Sequence, residues 1–158
     1  MLKPAQLYRE ELQEKLIEAW YNPKYQYYFS GAAYTLSIPD NNEFRHDFVH
    51  LDKDGNIDGY FSYQIDWKAK SLYNFGLIGF KDKNGIFMYE CINRLWNFIQ
   101  SEKIKRAEFW AWADNPVIEM YDRIVDRFYP LGYRAGKLTR SGFFGGEYHN
   151  SIIYEILF

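Results

Sequence analysis

SLYNFGLIGFKDKNGIFMYECINRLWNFIQSEKIKRAEFWAWADNP, residues 71–116, decides the fold. Ser71 to Phe80 is apolar and aromatic and runs into Lys81-Asp82-Lys83-Asn84-Gly85, which reads as a strand followed by a turn. From Ile86 onward Met88, Cys91, Ile92, Leu95, Phe98 and Ile99 recur at helical spacing, predicting a helix that packs one apolar stripe on a sheet. Ala107 to Ala113 reads as the next strand. Asp114-Asn115-Pro116 then supplies an N-cap and a proline at the first helical position. Val117, Met120, Tyr121, Ile124, Val125 and Phe128 form the stripe of the second helix, which closes on Leu131-Gly132-Tyr133. The order is strand, helix, strand, helix.

Working outward, Ala5 to Tyr21 places Tyr8, Leu12, Leu16, Ala19 and Trp20 on one face and mostly charged residues elsewhere, an amphipathic surface helix ending before Asn22-Pro23. Tyr25 to Phe29 has no clean period and reads as a short helix or an ordered loop, broken by Ser30-Gly31. Almost no room is left for a strand before Ala5, and Ala33 to Ile38 is the candidate edge strand instead. Phe44 to Leu51 and Ile57 to Trp67 form a hairpin around Gly55 and Asn56. Tyr133 to Arg140 and Glu147 to Phe158 are the closing strands, around a glycine-rich loop, residues 141–146, that reads as flexible enough to be a lid. No internal repeat or linker is present, so residues 1–158 are expected to form one domain.

The core of this pattern resembles the Gcn5-related N-acetyltransferase superfamily, from about Glu43 to the C-terminus. Asn115, Tyr121 and the Gly132-Tyr133 pair carry the resemblance, together with the order of the elements. It implies an α/β (α+β) fold: a mixed, mostly antiparallel sheet flanked by about four helices, with acetyl-coenzyme A entering where neighbouring strands splay apart. It also implies that Asn115 contacts the pantetheine arm and that Tyr121 protonates the departing thiolate, with Tyr129 or Tyr133 as substitutes. Backbone N–H groups near Leu77, Ile78 and Gly79 would polarise the acetyl carbonyl. The loop before the first of these helices has one glycine, Gly85, where the family pattern has two small residues, Asn84 and Ile86 standing in their places.

Elementary physics supports an anion site at the same loop. A helix N-terminus offers unpaired N–H groups and a partial positive charge, so Asn84, Gly85, Ile86 and Phe87, with Lys81 and Lys83, are the candidate pyrophosphate contacts. An ordinary Asn-Gly turn capping a helix is the bland alternative. A phenol with a pKa near ~10 suits proton delivery to a thiolate. Yet Asn115 is also a natural N-cap, and Tyr121 lies on an apolar stripe. Glu108, on the strand before Asn115, is the candidate general base, with Asp66 or a chain of waters as alternatives.

Composition narrows the partners. The chain has 158 residues, 15 Tyr, 13 Phe and 5 Trp, and a formal net charge of −2 with both signs interspersed. That gives no field suited to a polyanionic duplex, so a small-molecule or peptide partner is expected, and the resemblance implies that it is an amine acceptor. Tyrosine hides apolar area behind a polar tip, which suits cores, pockets and also a homodimer face. No apolar run approaches the ~20 residues of a membrane span and no secretory signal opens the chain, so a cytoplasmic protein is expected. Cys91, the lone cysteine, lies on a helical apolar stripe and reads as a buried inert thiol.

Metal chemistry finds no support. His46 and His50 have the four-residue spacing of helical ligands, but on a strand they stand about 13 Å apart at ~3.3 Å per residue, too far for two bonds of ~2 Å to one zinc ion; they read as surface or acceptor-side residues. Asp52-Lys53-Asp54-Gly55-Asn56 lacks the glycine and glutamate of a calcium loop, because Ile57 and Tyr63 occupy those positions. Two rivals to an acetyltransferase are a binding or regulatory protein on the same scaffold and a homodimeric interaction module.

Overall fold

Residues 57–63, Ile-Asp-Gly-Tyr-Phe-Ser-Tyr, are buried at every position, as expected of a strand covered on both faces. They lie inside a seven-stranded sheet in the computed structural model, which describes residues 1–28, 37–81 and 84–158. The elements are β1 (Leu2–Pro4), α1 (Arg9–Trp20), β2 (Arg45–Leu51), β3 (Ile57–Asp66), β4 (Ser71–Gly79), α2 (Gly85–Glu102), β5 (Arg106–Trp112), α3 (Ile118–Asp126), β6 (Gly132–Phe144) and β7 (Glu147–Leu157). Strand order is β1-β2-β3-β4-β5-β7-β6, and every neighbouring pair is antiparallel except β4 and β5. A parallel pair needs a crossover, and α2 supplies it.

Three apolar clusters fix the layers. Leu12 and Leu16 of α1 cover Val49, Ile57, Tyr60 and Ile78 on one face of the sheet. On the other face α2 buries Phe87, Cys91 and Ile99 against Phe48, Phe61, Tyr63, Ile65 and Leu72. Beside it, Val125 of α3 packs on Ala111, Ile152, Tyr154 and Ile156. Trp96 of α2 meets Phe128, just past the end of α3, at 6.3 Å and Phe158 at 6.1 Å. The first turn of α2 is seated by Gly59, where a Cβ would lie 2.8 Å from the Phe87 ring; only a glycine lets that ring rest on the strand. Cys91 is a buried free thiol, as its place on the stripe predicts.

Several expectations need correction. A first strand does exist: Leu2–Pro4 pairs antiparallel with Phe48–His50, so three residues suffice because β2 offers a ready edge. The Ala33–Ile38 candidate falls largely outside the described residues; Ile38 itself is buried without strand structure. The amphipathic N-terminal segment begins with a 3-10 turn, Ala5–Tyr8, before α1. The expected mixed, mostly antiparallel sheet is flanked, among the described residues, by three α-helices and two 3-10 turns. Ser141 to Phe144 is strand, not lid: β6 runs through it, and Gly145 (φ 60°) and Gly146 (φ 84°) alone make the turn to β7. Gly142 serves close packing instead of flexibility, since a Cβ there would come 2.3 Å from the Trp112 ring.

Candidate active site

β4 and β5 stay in register for two pairs only, Ser71↔Arg106 and Leu72↔Ala107. Lys70 O seals the base by accepting from Lys105 N at 2.8 Å and Arg106 N at 3.3 Å. Beyond that point the strands part. β5 keeps its full ladder with β7 on its other side, from Arg106↔Leu157 to Trp112↔Ser151. β4 follows β3 through a bulge: Ser62 pairs with Gly76 and Gln64 with Tyr73, so Asn74 and Phe75 together oppose Tyr63. Asn74 takes the left-handed φ of 50° that asparagine tolerates, and the bulge bends β4 away from β5. The result is a wedge whose cleft-side backbone groups on β4 have no strand partner. Phe75 and Phe109 meet edge to face across it at 6.3 Å.

One wall of the wedge ends at the start of α2. Leu77, Ile78 and Gly79 lead to it, paired on their far side with Phe61, Tyr60 and Gly59. Asn84 is the N-cap: its Oδ1 accepts from Phe87 N at 3.1 Å, and its Nδ2 donates to the buried Asp58 carboxylate at 2.8 Å. Phe87 is buried and its N–H is engaged by that cap, so it offers an incoming anion nothing. Gly85 and Ile86 keep N–H groups with no acceptor among the described residues, and a Cβ on Gly85 would meet nothing within 4 Å. The backbone there is open to an approaching phosphate. Lys81 is exposed and ion-paired with Asp52. Lys83 lies outside the described residues.

The facing wall is the turn into α3. Asn115 is buried, donates its N–H to Trp112 O at 3.0 Å and accepts Val117 N on Oδ1 at 3.0 Å. Pro116 and Val117 therefore belong to this turn, and α3 begins at Ile118, later than the Asn-Pro signal suggests. With its oxygen used, Asn115 presents Nδ2, which has no partner among the described residues. Tyr121 stands one turn into α3, its ring 5.8 Å from Phe109 and 6.4 Å from Tyr154. Burial pushes its phenol up to about 12, with a smaller contribution from Tyr28. Its hydroxyl makes no hydrogen bond among the described residues.

The substitutes for Tyr121 are placed differently. Tyr129 is 81% exposed. Tyr133 donates to Glu155, whose carboxylate raises the phenol's pKa. Glu108 lies on the opposite side of β5 from Phe109 and is ion-paired with Arg106, which also holds Glu155. Asp66 ends β3 and accepts Ala69 N from the following turn at 2.9 Å. His46 is half-buried and stacks on Tyr63 at 5.4 Å. His50 is buried, not surface, with Nδ1 on Asp58 and its ring 5.5 Å from Phe87, because α2 covers that end of β2. Among the described residues no group of three or more His, Cys, Asp or Glu side chains could hold a metal ion.

Sequence reading missed one pair beside the wedge. His149 of β7 meets Asp114 at 2.6 Å through Nδ1 and Phe144 O at 3.1 Å through Nε2, and it stacks on Phe144 at 3.6 Å. With Tyr27 and Trp112 it makes an aromatic corner at the end of β5. The partners' separation of 35 positions gave no local signal; only the adjacency of Asp114 to Asn115 could have drawn attention to it.

No protein-family model and no curated protein sequence matches the chain. Solved structures do. A chimera of the spermidine N-acetyltransferase SpeG from Vibrio cholerae and hSSAT matches with a TM-score of 0.68 and 19% identity, over 99% of this chain and 96% of that one. A point mutant of the Vibrio cholerae SpeG matches at 0.66 and 17% over 99% and 94%. A dodecameric structure of the same spermidine N-acetyltransferase matches at 0.60 and 19% over 73% and 66%. At these identities the likeness is one of fold: the chain has the mixed α/β fold of these structures, with a mostly antiparallel sheet.

Proposed function

We propose that the protein is an N-acetyltransferase that moves the acetyl group of acetyl-CoA to a primary amine. The observation that carries the reading is the wedge: a parallel strand pair that parts after two residues, with the open N-terminus of α2 on one wall and Asn115 and Tyr121 on the other. Gly85 and Ile86 N–H would hold the pyrophosphate, with Lys81 and Lys83 adding charge. Asn115 Nδ2 would donate to the pantetheine arm, and the unpaired backbone of Leu77, Ile78 and Gly79 would face the acetyl carbonyl. When bound, acetyl-CoA supplies an activated thioester.

The chain's own residues then orient the reactants, exclude water and move protons. Phe75, Phe109 and Tyr154 make the Tyr121 side dry. Tyr121 would deliver its proton to the departing sulfur. Glu108, ion-paired with Arg106 on the side of β5 opposite Phe109, would take the amine proton from that side of the sheet, directly or through water. An amine acceptor is supported by the spermidine acetyltransferases among the structural neighbours. A binding or regulatory protein on the same scaffold is favoured by one observation, that Asn84 caps Phe87 and leaves only two N–H groups for an anion.

Gly85→Glu tests the reading. The site is exposed with room for a side chain, and a carboxylate at a helix N-terminus in place of glycine stabilises the helix by about 1 kcal/mol. Against a pyrophosphate it repels: about 2 kcal/mol for charges a few ångströms apart at intermediate dielectric, on the order of 30-fold in affinity. Unchanged acetyl-CoA affinity in a well-folded variant would overturn the assignment of this helix end.

A further inference from the structure

A groove of ≈ 530 Å³ opens on the side of α2 away from the wedge, between that helix and β1, and is lined by Leu2, Tyr63, Glu90, Asn93, Arg94, Asn97 and Phe98, with Met1 and Ser101 at its rim. Its volume is in the range of small-molecule sites, about 300–1,000 Å³. We propose that it is a second ligand site, separate from the acetyl-transfer wedge, for a small carboxylic acid with a flat apolar body.

The exposed polar side chains of the groove, Asn93, Arg94 and Asn97, have no hydrogen-bond or salt-bridge partner among the described residues. Arg94 sits over Phe48, its guanidinium carbon 4.1 Å from the ring centre, and no carboxylate pairs with it among the described residues. Glu90, one helical turn earlier, is the obvious partner, but its Oε2 accepts Leu2 N at 2.8 Å and stands 3.8 Å from the buried His50 Nε2. Asn93 and Asn97, also one turn apart, and Tyr63 make no side-chain hydrogen bond among the described residues. Burial pushes the Tyr63 phenol up to about 12, which keeps it a neutral donor. His46, stacked on Tyr63, has its pKa lowered by burial and by Arg94, so it adds no competing positive charge.

Stacking orients a guanidinium so that its N–H edge, not its face, meets a ligand, and that edge matches a carboxylate two bonds at a time. The floor is the opposite in character: the half-buried Phe98 ring, 5.4 Å from the buried Tyr63 and tilted at 53° to it, presents apolar surface to a flat ligand body. A cation would find one carboxylate, already engaged, facing an unpaired arginine. A wholly apolar ligand would leave a guanidinium and two amides unsatisfied in its shadow.

Benzoate is the probe, with benzamide as its uncharged isostere, titrated into the whole protein while backbone amide resonances are followed by NMR. The expected result is a saturable shift confined to Leu2, Tyr63 and residues 90–98, with a dissociation constant on the order of 1 mM for so small a ligand. Benzamide and Arg94→Gln should each weaken it tenfold or more, and Asn97→Leu, which fills the groove but keeps the arginine, should weaken it too. Matching thermal transitions establish that the variants are folded. No saturable shift, equal binding of benzamide, or undiminished binding by Arg94→Gln overturns the proposal; a concentration-dependent mass that buries the same resonances without benzoate would assign the groove to contact between copies instead.

Discussion

Tyr121→Phe separates catalysis from folding because the hydroxyl it removes does nothing for the fold. The ring is held by Phe109 and Tyr154, and both contacts survive in phenylalanine. No hydrogen bond is lost among the described residues, so removal is nearly neutral for stability, and the melting temperature should move by less than ~2 °C. A positioned general acid contributes roughly 10²- to 10⁴-fold, so kcat should fall by that much while the KM for acetyl-CoA changes little. The pH profile adds a second readout. With its phenol raised to about 12 by burial, Tyr121 stays protonated throughout the working range, so wild-type kcat should show no descending limb below pH ~10. Release of free thiol from acetyl-CoA, followed with a thiol-reactive dye across a panel of primary amines, gives all three quantities. A variant that keeps kcat within a factor of about three would refute the role of Tyr121.

Phe87→Ala removes a fully buried ring from beneath the first turn of α2, and should cost about 3–5 kcal/mol in denaturant unfolding while loosening the helix end that faces the wedge. Asp47→Asn leaves Arg45 and the Tyr60 hydroxyl, now 2.9 Å and 2.5 Å from that carboxylate, without their anion; a loss of about 2–3 kcal/mol is expected, below the full value of a buried pair because Arg45 is partly exposed. The Asp122 carboxylate is held below its ordinary 3.8 by Arg134 and then Tyr154. Its folded pKa lies below the unfolded one, so its stabilisation is complete above pH ~4 and is lost as pH falls through the folded value. Asp122→Asn should therefore flatten the pH dependence of unfolding below pH ~4, and an unchanged slope there would count against the pairing.

The β4-α2-β5-α3 order was legible because each element has a clean period and a marked end: Asn84-Gly85 before α2, Asn115-Pro116 before α3. What stayed hidden depends on partners distant in sequence. Leu2–Pro4 is too short to show alternation and is a strand only because β2 is beside it. The glycines of residues 141–146 look like a lid, yet Gly142 is small because Trp112 packs on it. The site was legible in outline and not in detail. Asn84 matches a phosphate contact by position, but the buried Asp58 from the hairpin and the Phe87 N–H both engage its side chain. His50 alternates onto the α2 face, where Phe87 and Asp58 enclose it, and nothing near it in the chain announces either neighbour.

Calorimetric titration of the purified protein with acetyl-CoA tests the central claim most directly. Binding in the micromolar range, weakened by Gly85→Glu and indifferent to Arg94→Gln, is the predicted result. No heat of binding at millimolar acetyl-CoA would contradict it and leave the wedge as a scaffold for a different ligand.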